Sequence, residues 1–340
     1  MGARKRMAKD AAGGIPVLDA GPYLAGAPGA LHRLAAGLRA AEEEVGFYYL
    51  TGHGIEEGLI DRVFAMAARF HALPLNAKMA LEQNRHNVGY MPVRGSVTRA
   101  NALDGIARKP NVVEAFFIKR DLPPDHADVV SGKRFRPANL WRADLPGFRA
   151  TCVAYCEAME GLARHLLPVY ATALEVPAEF FDAAFAEPMY TLRLSHYPPV
   201  EGYAADEFGI APHTDTSFLT LLAQNEVPGL EIRRPDGTWI EAPVVPGAFV
   251  VNSGDLQRRW TNGRFLSTPH RAVNRGEHER YAIPFFFDCH ADHRIECLPS
   301  CTGPDNPPRY PPITYSEYMD QFTRANYDHV RAAVAEEERA

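Results

Sequence analysis

The chain predicts a mixed α+β fold, with helices packed outside a sandwich or jelly-roll core, and three observations carry that expectation. Short apolar runs recur between turn signals: Leu219 to Leu222, a turn at Pro228-Gly229, Leu230 to Arg233, a hairpin at Asp236-Gly237, Trp239-Ile240 and Ala248 to Val251. Antiparallel strands of a sandwich or jelly roll read at this rhythm. Elsewhere, apolar residues recur at helical spacing in three long runs. Finally, His213-Thr214-Asp215 and His270 stand on separate strand-like segments, 55 residues apart, which suits side chains brought together by a sheet.

Taken in order, residues 1–14 read as a flexible tail. Arg4-Lys5-Arg6 is a small basic cluster ahead of Gly13-Gly14, and no apolar signal-peptide core follows it. Residues 15–180 form a mainly helical N-terminal region. Leu31, Leu34 and Leu38 space one helix and Leu59, Val63, Met66 and Phe70 another, neither with an internal proline. The stretch from 84 to 149 is irregular, carrying Gly89, Gly95, Pro110, Pro123, Pro124 and Pro137, and is expected to close over the mouth of the core. Cys152 to Leu174 is a third helix, in which Pro168 marks a kink or a break. Residues 181–300 hold the strand-rich core. Residues 301–340 are a Pro-rich connector, Pro304 to Pro312, and a helix from about Ser316 to Glu338 with Ser316 as its cap.

Composition excludes several classes. A chain of 340 residues, 46% hydrophobic, has ample material for a large core. A net charge of −6 gives no nucleic-acid footprint. No run approaches the ~18 apolar residues of a membrane span. Five cysteines, an odd number without an export signal, favour reduced thiols and a cytoplasmic protein. Cys297, Cys301 and His293 fit no familiar zinc spacing.

The chemistry concentrates between His213 and Arg280. On an extended strand, side chains at i and i+2 share a face, so His213 and Asp215 both reach a metal while Thr214 turns away. Two imidazoles and one carboxylate occupy one face of an octahedral Fe(II) and leave positions open for a chelating co-substrate and dioxygen, which points to an oxygenase. A His-x-Asp pair alone is weak evidence. Arg280 strengthens it, because it opens the apolar strand Arg280 to Phe287, where an inward guanidinium needs an anion. A bidentate carboxylate fits that fork.

Further residues resemble the isopenicillin N synthase-like family of Fe(II)/2-oxoglutarate-dependent dioxygenases. Ile15 to Asp19 is similar to the family's opening strand, and Gly46-Phe47-Tyr48-Tyr49-Leu50 with His53-Gly54-Ile55 to its next conserved segment, Gly52 replacing an Asn. Asn139-Leu140-Trp141 with Leu145 to Phe148 resembles the central linker. Ser195 to Pro199 resembles the strand before the metal motif. Asn252 to Asp255 and Trp260 to Gly263 resemble the segment before the distal histidine. The resemblance covers about residues 15 to 325.

The resemblance implies a double-stranded β-helix flanked by N-terminal helices and a C-terminal helix. It implies Fe(II) on His213, Asp215 and His270, 2-oxoglutarate as co-substrate gripped by Arg280, and a contribution from Tyr197 at the same carboxylate or at the substrate. Where the family has Arg-x-Ser, this chain has Ala282, and the loss of one neutral hydrogen bond is worth only ~1 kcal/mol. The implied reaction consumes O2 and hydroxylates or desaturates a small molecule with release of succinate and CO2. The alternatives are a four-electron oxidase or ethylene-forming enzyme of the same fold, or a metal-binding barrel without catalysis.

Strand parity extends the site. Ala282, Pro284, Phe286 and Asp288 share Arg280's face, and Arg193 and Ser195 share that of Tyr197. Phe286 and Asp288 are candidate pocket residues whose ordinary readings are a core aromatic and a strand-end carboxylate. Arg193 is either a second anion site or a structural pair. The resemblance adds Tyr90, Arg94 and Phe116 as substrate contacts. The remaining histidines, His71 among them, read as locally satisfied; His53 supports packing, and His196 alternates away from Tyr197.

Overall fold

A computed structural model of the chain describes residues 11–99, 109–199, 204, 206–327 and 330. The strands are, in chain order, β1 (Ala11–Ala12), β2 (Ile15–Asp19), β3 (Phe47–Thr51), β4 (Gly89–Met91), β5 (Glu114–Lys119), β6 (Met189–Tyr197) and β7 (Ile210–His213). They continue with β8 (Leu219–Gln224), β9 (Leu230–Arg233), β10 (Trp239–Ala242), β11 (Phe249–Ser253), β12 (His270–Ala272), β13 (Arg280–Asp288), β14 (Arg294–Ile295) and β15 (Ile313–Thr314). A large sheet runs β1-β2-β3-β11-β8-β13-β6-β5-β4, a smaller one runs β10-β9-β12-β7, and β14 pairs with β15. Apart from the parallel β2–β3 contact the ladders are antiparallel.

β13 shows why the sheet forms here. Ile283, Phe285 and Phe287 are fully buried on its outer face, in one core with the long helix Phe148–Ala173. Burying each such side chain is worth about 1.5–3 kcal/mol. The other face carries Arg280, Ala282, Pro284 and Phe286 into the space between the two sheets. The covering helix buries Cys152, Tyr155, Cys156, Met159, Leu162, Ala163, Leu166 and Tyr170, a stripe at intervals of three and four. It packs against helices Ala30–Glu44 and Glu57–His71, the two expected from their leucine spacing.

The structure departs from the sequence reading in several places. Residues 11–14, expected to end a flexible tail, form a hairpin in which Ala12 pairs with Ile15; Arg4 to Arg6 lie outside the described residues. The helix runs on through Pro168 without a break. The irregular stretch from 84 to 149 contributes β4 and β5 to one edge of the large sheet, and its residues 100–108 lie outside the described residues. The C-terminal helix spans Tyr315–Asn326, and its cap is Thr314, not Ser316: Thr314 Oγ1 accepts from the Glu317 amide at 3.2 Å while Glu317 accepts from the Thr314 amide at 2.8 Å. Ser316 instead donates to the Ala291 carbonyl at 2.8 Å. The expected continuation toward Glu338 falls largely outside the described residues. No helix among those described is long and apolar enough to cross a membrane.

One carboxyl in this core titrates with folding. Glu42 is fully buried near the end of Ala30–Glu44 and accepts from Tyr170 Oη at 3.1 Å. Burial pushes its pKa up to about 8, against hydrogen bonds from Ser253 and Tyr170. The folded chain therefore holds a proton that the unfolded chain releases near the ordinary value of 4.5. Stability falls as pH rises through that window, by about 1.4 kcal/mol per unit of upward shift. Glu42→Gln should flatten the fall in melting temperature between about pH 5 and about pH 8 relative to the parent. Parallel melting curves for the two proteins would mean that Glu42 is ionised in the fold.

Candidate metal centre and co-substrate pocket

His213 ends β7, and His270 opens β12 directly opposite it in the ladder, so their rings lie with centroids 4.3 Å apart. Asp215 is not on the strand, as strand alternation alone would have it. It stands two residues past β7, where its carbonyl accepts from the Asp255 amide at 2.8 Å. Gly254 permits that approach, because a Cβ there would lie 2.3 Å from the Ser217 carbonyl and 2.9 Å from that of Asp215.

The three side chains converge. Asp215 Oδ1 lies 3.8 Å from His213 Nε2 and 3.6 Å from His270 Nε2. Its other oxygen is occupied, accepting from Thr220 Oγ1 and Asn252 Nδ2, each at 2.8 Å. Each imidazole has its Nδ1 against a carbonyl, Ala211 at 2.9 Å and Thr268 at 3.1 Å. An Nδ1 that donates leaves the Nε2 lone pair free, so this donor set suits a divalent cation. Burial and the neighbouring His270 push the His213 pKa down to about 3. Burial alone would raise that of Asp215, but the two histidines and the Asn252 and Thr220 hydrogen bonds outweigh it and lower it.

Arg280 is 1% exposed. Nη2 donates to Gln224 Oε1 at 3.1 Å, Nε and Nη1 have no hydrogen-bond partner among the described residues, and the guanidinium lies 4.7 Å from the Tyr197 ring centroid. Burial lowers its pKa, with Tyr197 opposing. A buried fork with two open donors matches a carboxylate. Tyr197, Ser195, Ala282 and Phe286 line the same pocket, which includes all three metal-site side chains. Ser195 is paired with Ala282 across the β6–β13 ladder, and its buried hydroxyl has no partner. As strand parity expects, Ser195, a candidate substrate contact, shares the side of Tyr197, and that side is the Arg280 pocket.

A second cavity opens from the metal-site residues and is lined by Arg193, Phe286 and Asp288, as parity suggests, together with Phe117, Lys119 and Thr191. Three expected contacts lie elsewhere. Phe116 packs in the outer core, 4.5 Å from Phe70 by ring centroids, and Phe117 takes the inward position. Arg94 is exposed and pairs with Glu207 at 3.2 Å. Tyr90 is buried and donates to Glu114. Glu114 to Lys119 is nearly apolar on both faces, so alternation could not say which phenylalanine turns inward. Lys119 escapes sequence reasoning for the same reason.

Glu114 centres another buried cluster. His196 Nδ1 lies 2.7 Å from it and His71 Nδ1 3.5 Å, so His71, read from the sequence as satisfied locally, is buried in a cluster of residues distant in the chain. Lys78 Nζ donates to Glu114 at 2.7 Å and to the His71 carbonyl at 2.9 Å. Burial would raise the Glu114 pKa, but His196, His71 and Lys78 together hold it well below the carboxylate range. The Lys78 ammonium pairs with Glu114 Oε2 while both imidazoles approach Oε1, so the buried carboxylate has its counter-charge within the chain.

Comparison with known proteins agrees with the first cluster. The profile of the 2OG-Fe(II) oxygenase superfamily matches residues 188–288, and that of the non-haem dioxygenase in morphine synthesis N-terminal region matches residues 15–144. A 2-oxoglutarate-Fe(II) type oxidoreductase of Emericella nidulans, hxnY, is 36% identical over 325 residues, covering 93% of this chain and 91% of the relative. The chain belongs to the Fe(II)/2-oxoglutarate-dependent dioxygenase family. This dioxygenase is also 35% identical to kihadalactone A synthase of Citrus sinensis, over 88% of this chain and 91% of that one. Its fold matches that of a full-length Neurospora crassa protein solved in complex with alpha-KG, with a TM-score of 0.79, 28% identity and coverage of 92% and 96%. A 2OG-Fe(II) oxygenase family protein from Caulobacter crescentus gives 0.78, 31%, 91% and 98%. It is thus a non-haem iron oxidoreductase that uses 2-oxoglutarate and O2, with the jelly-roll core expected.

Gly229, in the turn before β9, closes on Arg280. With φ 144, it has no room for a side chain: a Cβ would lie 2.0 Å from the Val273 carbonyl and 3.1 Å from Arg280 Cδ and Nε. Gly229→Ala should cost on the order of 1–3 kcal/mol, read as a lower melting temperature. A parent-like melt would show that the turn gives way freely.

Proposed function

We propose that His213, Asp215 and His270 ligate the iron of this oxygenase, and that Arg280, with Tyr197 and Ser195 beside it, holds the far carboxylate of 2-oxoglutarate. The observation that carries this reading is the convergence of Asp215 Oδ1 with two Nε2 atoms whose rings are already fixed through Nδ1. The two open nitrogens of buried Arg280 support the second half. When bound, iron and 2-oxoglutarate supply the oxidative decarboxylation to succinate and CO2 and the oxidising power to break a C–H bond.

The chain's own groups orient and shield. Thr220 and Asn252 keep one Asp215 oxygen turned toward the imidazoles. The Phe47 ring meets His270 edge-on at 5.3 Å and keeps water from its flank. Phe286, shared by both cavities, sets how a small-molecule substrate approaches for hydroxylation or desaturation. Ala282 removes one hydroxyl from the co-substrate site, and the unpartnered Ser195 hydroxyl opposite it takes over that donor role. In this reading residues 181–300 hold the reacting groups, while 15–180 brace them and wall the substrate cavity. The isopenicillin N synthase-like branch is supported by the matched N-terminal profile, and a cytoplasmic setting by five free cysteines.

Anaerobic addition of 2-oxoglutarate to the Fe(II)-loaded protein should produce a weak visible charge-transfer band, and O2 should discharge it with succinate formation. Asp215→Ala should lose the band; a band of parent intensity would remove Asp215 from the metal. Arg280→Ala should raise the 2-oxoglutarate requirement more than about 30-fold, because truncating one partner of a buried charge pair costs about 2–5 kcal/mol. An unchanged requirement would place the oxo-acid elsewhere. Ala282→Ser should tighten binding by ~1 kcal/mol at most, and Ser195→Ala should weaken it by a similar amount. If Ser195→Ala binds like the parent, Ser195 does not replace the missing hydroxyl.

A further inference from the structure

Lys119 is 3% exposed, and its Nζ donates to Thr191 Oγ1 at 2.8 Å. Among the described residues no carboxylate lies within ion-pairing distance of it, or of Arg193. Arg193 Nε is buried without a hydrogen-bond partner, and its guanidinium lies 5.3 Å from the Phe117 ring centroid. Lys119 pairs with Thr191 across β5–β6 and Arg193 with Phe117, so the two cations are diagonal neighbours on one face. In an ordinary sheet such positions are about 7–8 Å apart, within reach of long side chains that share one ligand. Both line the cavity that opens at His213 and Asp215.

Their charge has no counterpart in the chemistry already assigned. Iron, Asp215, the 2-oxoglutarate dianion and Arg280 cancel one another's formal charge, and the two remaining cations are left over. Asp288 is the carboxylate whose field reaches Lys119, but it is engaged elsewhere, accepting from the Phe218 amide at 2.8 Å. Burial pushes the Asp288 pKa up to about 7 and that of Lys119 down to about 8, so each is weakened as an ion and an anion lodged beside Lys119 would favour its charged form. A buried cation such as Lys119 is rarely left unpaired, and half-buried Arg193 encloses its Nε without a partner among the described residues.

We propose that the substrate is a small organic acid whose carboxylate is held between Lys119 and Arg193, with its apolar body against Phe117 and Phe286. This rests on the reading in which the neighbouring triad holds iron. Thr191 Oγ1 holds the ammonium in place, and the Phe117 ring lies against the Arg193 guanidinium. The carboxylate then anchors one end of the substrate, and the carbon to be oxidised is the one that the anchor leaves nearest His213 and Asp215. An uncharged analogue of the same shape leaves both cations unpaired, which makes the site selective as well as adhesive.

The test uses benzoate as a ring-sized acid and benzamide as its uncharged counterpart. Each is titrated calorimetrically, without O2, into the full chain loaded with Fe(II) and saturating 2-oxoglutarate. Benzoate should bind at least about tenfold tighter than benzamide. Lys119→Met and Arg193→Met should each remove most of that preference, and Lys119→Arg should keep it. Equal affinity for the two probes overturns the proposal, and so does the absence of binding by either. A preference for benzoate that survives Lys119→Met, in protein with a parent-like melt, overturns it too. The 2-oxoglutarate charge-transfer band is read on the same samples: a normal band with no benzoate preference refutes only the acid site. Absence of the band in the parent refutes the iron and co-substrate reading itself.

Discussion

The antiparallel pairing of β6 with β13 is the constraint on which the interior depends. It sets Arg280 opposite Tyr197, Ala282 opposite Ser195 and Phe286 opposite Thr191. Because side chains alternate with period two, these pairs form successive rungs on one inner face. The outer face, Ile283, Phe285 and Phe287, is sealed under the helix Phe148–Ala173. A slip of one residue would turn Arg280 into that apolar core and expose the phenylalanines to the site, at a cost no local rearrangement could offset. The hydrophobic outer face thus fixes the polar inner one.

The rungs also order the chemistry along β6. Tyr197 and Ser195 belong to the pocket of Arg280, Arg193 lines both cavities, and Thr191 belongs with Lys119. The triad side chains His213 and Asp215 border both cavities, while His270 borders only the inner one. Co-substrate and substrate can therefore approach from opposite ends of one strand and meet at the metal site. This separation combines an inner pocket around Arg280 with an outer cavity walled by β5, β6, β13 and the C-terminal helix.

Legibility in the sequence followed the strength of the local pattern. Strands β8 to β13 were readable because turn pairs such as Asp236-Gly237 bracket them, and the two leucine-spaced helices because no proline interrupts them. The His213, Asp215, His270 and Arg280 positions came from spacing and chemistry together. β5 was not readable: Glu114 to Lys119 has both faces covered, so it lacks the alternation that would have assigned Phe117 and Lys119 inward and Phe116 outward. The Glu114 cluster was invisible for another reason, since His71, Lys78 and His196 meet only after a helix packs on the sheet. Polar partners far apart in sequence leave no periodic trace.

The two polar networks of the interior also differ in what they ask of a ligand. Around Glu114 the buried carboxylate is paired with the Lys78 ammonium and the His196 imidazole, so folding itself supplies its counter-charge. Around Arg280 and Lys119 the hydrogen-bond and ring partners seen among the described residues are neutral, an amide, a tyrosine ring and a threonine hydroxyl, and no carboxylate pairs directly with either cation. Desolvation of those cations is a standing cost of the unliganded protein, of a size comparable with the whole of an ordinary domain's stability margin. Anions that bind only the folded chain recover part of it, by about 2.7 kcal/mol when present at 100 times their dissociation constant. The jelly roll is therefore held in two stages. Its apolar outer face contributes to stability with or without ligands, and anions bound at the inner face add to it by completing the charge pairing.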